Sequence, residues 1–122
     1  MKKSIRALRL DADGHLTPTT LEEDARGTHL EALDRNLGCD LVECVSLRGD
    51  LGMWIDEEGK LKDAPFNRGA TKAMLSAGYP DSDFIAGIAV FTGGPDADGN
   101  MTDLDDPAAA FVEEIVNRRT LP

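Results

Sequence analysis

Cysteine and histidine are scarce in this chain of 122 residues, which holds Cys39 and Cys44, His15 and His29 and no others of either type. A closed zinc site needs four ligands, and these four residues share no ligand spacing, so no metal site is expected. The two cysteines lie an odd number of positions apart in one strand-like segment. They are expected on opposite faces of a strand, reduced, and buried as small hydrophobes. Long apolar runs are missing as well: nothing approaches the roughly 20 residues that cross a bilayer. The start, Met1 to Asp11, is basic but lacks the continuous apolar stretch and small-residue cleavage site of a secretory signal. A cytoplasmic protein without a membrane partner is expected.

Positive charge is also in short supply, with 13 lysines and arginines against 23 acids and a formal charge of −10. Such a field repels phosphate backbones, so direct nucleic-acid binding is disfavoured. The same field suits simple solubility, or a protein that presents itself as DNA to a basic, nucleic-acid-binding partner. Catalytic signatures are lacking too: there is no nucleophile elbow, no phosphate loop, and no histidine and carboxylate at fixed spacing. A binding role is therefore preferred over an enzymatic one, and no cofactor is expected.

What is present is ordinary globular composition, 41% hydrophobic and 30% charged. A chain of this length forms one domain over residues 1–122 that buries roughly two thirds of its unfolded surface. One pattern, Asp, two residues, Gly, one residue, then an apolar residue, recurs at Asp11 to Leu16, Asp56 to Leu61 and Asp96 to Met101. Asp can accept from the backbone and Gly can take positive φ, so all three are read as strand reversals.

Ile5, Ala7, Leu8 and Leu10 before the first reversal predict a β-ribbon, and Thr17 to Thr20 a loop, with a turn of helix opening at Thr20. Thr28 to Gly38 predicts a helix, capped by Thr28, with Glu31 three residues on and Gly38 as its stop. Residues 40–47 read as a strand apolar on both sides, hence central, and 51–56 as its return across the turn at Arg48 to Asp50. A helix follows from Asn67, the cap, to Ser76, with Gly78 beyond. The nearly apolar run 84–92 predicts a buried strand in the same sheet. Asp106 is expected to cap a last helix that opens on Pro107, packs on the sheet and ends at Arg118 and Arg119. The order predicts an α+β fold, a mostly antiparallel sheet of four to six strands covered by two or three helices.

Asp96, Asp98 and Asn100 have the alternate spacing of a calcium loop, but Met101 and Pro107 stand where the EF-hand needs Gly and Glu. Together with Asp103, Asp105 and Asp106 they read as a solvated loop and helix cap, with a surface for a basic partner as the alternative. The candidate ligand site is the helix start at Phe66, Asn67, Arg68, Thr71 and Lys72. Its amides and Arg68 suit a phosphate, and Phe66 or Trp54 could stack a base, so a small nucleotide is the ligand considered. The competing reading is a capped helix whose Arg68 pairs with Asp63.

Leu41-Val42-Glu43, Trp54 through Leu61, Pro65-Phe66-Asn67, Ala70-Thr71 and the run from Phe84 to Gly93 together resemble a family of small uncharacterised domains. These occur in actinobacteria, their phages and their plasmids. The resemblance covers residues 5–105 and departs from the family in the Asp-rich insert at 95–106. It carries over no site residues and implies a mobile-element setting. The expected function is that of a non-enzymatic accessory binding protein, an acidic inhibitor of a nucleic-acid-binding partner. A nucleotide-sequestering pocket protein is the alternative, and a small hydrolase the outsider. The two-sided strand and the Trp54 hairpin give more apolar surface than short helices cover, so a homodimer is expected.

Overall fold

A computed structural model describes residues 3–39 and 41–118. The expected strand start at Asp40 and helix end at Arg119 lie outside the described residues. The chain opens with the hairpin of β1 (Ser4–Leu10) and β2 (Leu16–Glu22), in register from Ser4↔Glu22 to Leu10↔Leu16. Its turn is built as the sequence predicts. The Asp11 carboxylate accepts the N–H groups of Asp13 and His15, both at 3.0 Å, the Gly14 N–H reaches the Asp11 carbonyl, and Gly14 takes φ 94°. Thr17 to Thr20 is not a loop, and no helix opens at Thr20: these β-branched residues form β2, which the burial of Leu21 holds down. Pro18 is tolerated because β2 is an edge strand.

The same turn recurs at Asp96, and also at Asp24, where the sequence reading did not place one. In both, the carboxylate accepts two following N–H groups and Gly99 or Gly27 sits at positive φ. At Asp56 the pattern does not reverse the chain. The Lys62 ammonium takes the Asp56 carboxylate at 3.1 Å, Gly59 does not adopt positive φ, and the backbone continues through helical-type turns. Straight-chain Glu57, Glu58, Lys60 and Lys62 favour that path.

α1 (Leu30–Leu37) is capped at its end by Gly38, as expected. It starts after His29 instead of Thr28, whose hydroxyl donates to Asp24 at 2.7 Å. β3 (Val42–Arg48) and β4 (Leu51–Asp56) form the second hairpin, with a bulge between Ser46 and Arg48. α2 (Arg68–Ser76) leads to β5 (Ala89–Thr92), and α3 (Asp106–Val116) closes the domain. Its cap is Asp105, which accepts from Ala108 at 2.8 Å, while Asp106 pairs with Arg6.

The five strands make one antiparallel sheet in the order β2-β1-β5-β4-β3. This is the α+β arrangement expected, with the 84–92 run supplying a buried strand as predicted and β3 displaced from the expected centre. β3 lies at the edge, with Glu43, Cys44 and Ser46 exposed, and β5, buried at all four positions, is central. The predicted strand at 84–92 is shortened to Ala89–Thr92. Gly87 takes φ 91°, and only Ala86, bridged to Phe66, pairs before it.

Alternation divides the side chains between two cores. Leu8, Leu10, Val45, Leu51, Met53 and Phe91 face α2 and α3, whereas Ile5, Ala7, Leu21 and Val90 face Leu33 and Leu37 of α1. Beyond β5 the segment 93–104 completes the sheet: the Arg6 N–H donates to Asp103 at 2.8 Å and the Leu104 N–H to the Arg6 carbonyl at 3.0 Å. Close approach requires glycine here, because a Cβ on Gly93 would collide with the Asp103 carbonyl and one on Gly94 with that of Gly49. The cysteines are free, but the expectation that both are buried fails: Cys39 is half-buried and lies before β3, and Cys44 is exposed beside Gly52. Local desolvation still pushes both thiols above their ordinary pKa.

Candidate functional site

The helix start singled out in the sequence turns inward. Asn67 is fully buried: its Oδ1 caps α2 through Ala70 at 3.0 Å, and its Nδ2 donates to the carbonyls of Leu10 at 3.2 Å and Gly87 at 2.9 Å. The buried Thr71 hydroxyl donates to the Asn67 carbonyl and accepts from Ile85. Lys72, only 3% exposed, extends its ammonium to the end of α3, donating to the carbonyls of Val116 at 2.8 Å and of Arg118. Burial, then the charges of Arg68 and Arg118, lower its pKa. Asn67, Thr71 and Lys72 thus clamp α2 to the sheet and to α3.

Arg68 is exposed and, together with Lys72, lines a cavity of about 260 Å³ with the β1–β2 turn and the end of α3. Trp54 points to the opposite face of the sheet, where its Nε1 donates to Thr92 at 3.0 Å. It cannot stack a base bound beside Phe66. On that face Trp54, His29, Asn100 and Met101 line a cavity of about 150 Å³, and the His29 Nε2 is buried without a hydrogen-bond partner.

Exposed aromatic surface gathers elsewhere. The chain has six aromatic residues, one Trp, one Tyr and four Phe. Three of them, Phe66, Tyr79 and Phe84, are 51%, 38% and 41% exposed where the chain passes from β4 through α2 into β5. Phe66 and Phe84 pack with ring centroids 6.0 Å apart, tilted by 50°. Cavities lie on either side of Phe84. One, of about 140 Å³, has an apolar floor of Val45, Ile55, Met74 and Ile85 beneath a rim of Glu43, Asp56, Glu57 and Asp83. The other, of about 320 Å³, lies between Phe66, Leu75 and the turn from Asp81 to Phe84.

The groups around Phe84 are electrostatically ordered. The Lys60 ammonium sits 4.7 Å from the Phe84 ring centroid and pairs with Asp83. That pairing, and then the Phe84 N–H, hold the Asp83 carboxyl below its ordinary pKa. The Tyr79 hydroxyl donates to the Ser46 carbonyl at 2.9 Å and ties the loop after α2 to β3. None of Lys60, Tyr79, Asp83 and Phe84 stood out in the sequence. The available signal was Pro80-Asp81-Ser82-Asp83, a turn composition that sets Phe84 beside an exposed turn.

The Asp-rich segment has structural duties at Asp96, Asp103, Asp105 and Asp106, which close a turn, pair with the edge of β1, cap α3 and hold Arg6. Asp11, Asp13 and His15 place ligand-type atoms within 4.8 Å of one another. This clustering follows from the turn, in which the Asp11 carboxylate already accepts the turn amides and lies 3.3 Å from the His15 Nδ1. Among the described residues no helix is long and apolar enough to cross a membrane.

No curated protein and no solved structure matches this chain. A family model does, that of a domain of unknown function, DUF3846, over residues 5–117. The match runs from the second residue of β1 to beyond the end of α3 and includes the segment 95–106. The resemblance to an uncharacterised domain family read in the sequence is thereby borne out, and the chain belongs to the DUF3846 family of domains of unknown function.

Proposed function

We propose that this chain is a non-enzymatic, cytoplasmic accessory protein of a phage or mobile element. In this reading it binds a basic, nucleic-acid-binding protein through the acid-rimmed aromatic surface of Phe66, Tyr79 and Phe84. The observation that carries the proposal is the exposure of half of the chain's aromatic residues at one end, among carboxylates. Aromatic side chains left in water are costly on a small monomer, and they anchor interfaces when a partner covers them. A formal charge of −10 draws a basic partner and repels nucleic acid itself. The nucleotide alternative is weaker, because Asn67 and Thr71 spend their polar atoms on the backbone, and the Lys72 ammonium, which lines the cavity beside Arg68, is committed to the carbonyls at the end of α3.

The test is retention of host proteins on the immobilised chain, followed by purification of what is retained. A basic protein is expected that binds duplex DNA less well once this chain is added, and that the Phe66→Ser/Phe84→Ser double variant does not hold. Equal retention by the folded double variant, or no effect of the chain on DNA binding, overturns the proposal.

A further inference from the structure

We infer that the smaller cavity beside Phe84 recognises one basic side chain, an arginine or lysine of the partner, and that Lys60 is its internal stand-in. This rests on the proposed binding of a basic protein and names the chemistry that the surface selects. The cavity has the layers such a side chain needs. Val45, Ile55 and Met74 floor it and can cover a methylene stem, while Glu43, Glu57 and Asp83 at the rim meet the charged head. The Phe84 ring supplies the face on which a cation settles. At about 140 Å³ the space falls below the roughly 300 Å³ at which small-molecule pockets begin, so it suits one side chain and not a nucleotide.

Lys60 demonstrates the binding mode within the chain. Its ammonium lies 4.7 Å from the Phe84 ring centroid and on the Asp83 carboxylate. The Lys60 side chain remains 49% exposed, on a turn, so little packing is lost when it swings out. Asp83 is fixed independently of Lys60, because its carboxylate also accepts the Phe84 N–H at 2.8 Å. Removing Lys60 therefore leaves an aimed carboxylate and a bare ring face. A guanidinium fits that pair better than an ammonium, since it stacks on the ring while forking to the acid.

The experiment is an NMR titration of the full chain with an acetylated, amidated Gly-Arg-Gly peptide, with the norleucine analogue as control. Shifts are expected at Tyr79, Asp83 and Phe84 with arginine only. Lys60→Met, which keeps the stem and removes the competing charge, should tighten binding about tenfold. Asp83→Asn or Phe84→Leu should each weaken it about threefold to fivefold, and together about tenfold or more, the scale of one exposed ion pair and one exposed cation–π contact. Arginine shifts spread evenly over the acidic surface, or an unchanged affinity in folded Lys60→Met, overturn the inference. Loss of the captured protein in the Phe66→Ser/Phe84→Ser variant would in that case still support the aromatic surface as the partner's seat. Conversely, arginine selectivity at Phe84 with no captured basic protein supports the pocket and overturns the partner.

Discussion

At Asp24 one carboxylate organises a whole turn. It accepts the N–H groups of Arg26 and Thr28 and the Thr28 hydroxyl, and these bonds lower its pKa from 3.8 to about 2. A carboxyl whose folded pKa is depressed stabilises the fold fully above its unfolded value and loses that contribution as the pH falls toward the folded one. Urea midpoints measured between pH 6 and pH 2 should therefore fall more steeply below pH 4 in the wild type than in Asp24→Asn. Parallel curves would show that the turn does not depend on this charge. The spacing of Asp and Gly revealed the turns at Asp11 and Asp96, but the added demand for an apolar residue hid the one at Asp24, where His29 occupies that place. Asn67 was legible as a cap. The destination of its amide was not, since Leu10 and Gly87 lie 57 and 20 residues away in sequence.

Elements were legible where pattern and punctuation agreed. Gly38 ends α1, Asn67 opens α2, and Pro107 lies in the first turn of α3, each where the sequence reading has it or within two residues. Apolar density misled elsewhere: it gave β3 a central place and extended β5 back to Phe84, whereas order in the sheet depends on pairing across the chain. The fastening of α2 to α3 was invisible for the same reason. Lys72→Met should remove the donors at the end of α3 and cost about 1.5–3 kcal/mol in urea unfolding, the scale of charged hydrogen bonds. An unchanged midpoint would mean that burying the ammonium costs as much as its bonds return. The β3–β4 hairpin is the least covered on the α1 side, where Cys44 is exposed and Trp54 half-buried. We propose that two copies close over it as a homodimer, and light scattering that returns only a 13.1 kDa species at every concentration overturns this.

Over the whole molecule, the field of −10 acts at a longer range than any of these contacts. Acids that cap helices and close turns, such as Asp105 and Asp96, still contribute to it, because a hydrogen-bonded carboxylate keeps its charge. Charge and aromatic surface should therefore divide the binding of a basic partner between them. The field governs encounter, and salt screens it with a Debye length of about 8 Å at physiological strength. The packed rings govern escape, because separating them re-exposes apolar area whatever the salt. With the captured basic protein on a biosensor surface, raising salt from about 50 to 300 mM is expected to slow association severalfold while dissociation barely changes. Phe66→Ser/Phe84→Ser should speed dissociation at every salt concentration and leave the salt slope of association as it was. An association rate indifferent to salt would remove the electrostatic half of the proposal. A double variant that alters only association would remove the aromatic half, because the rings would then help partners meet without holding them together.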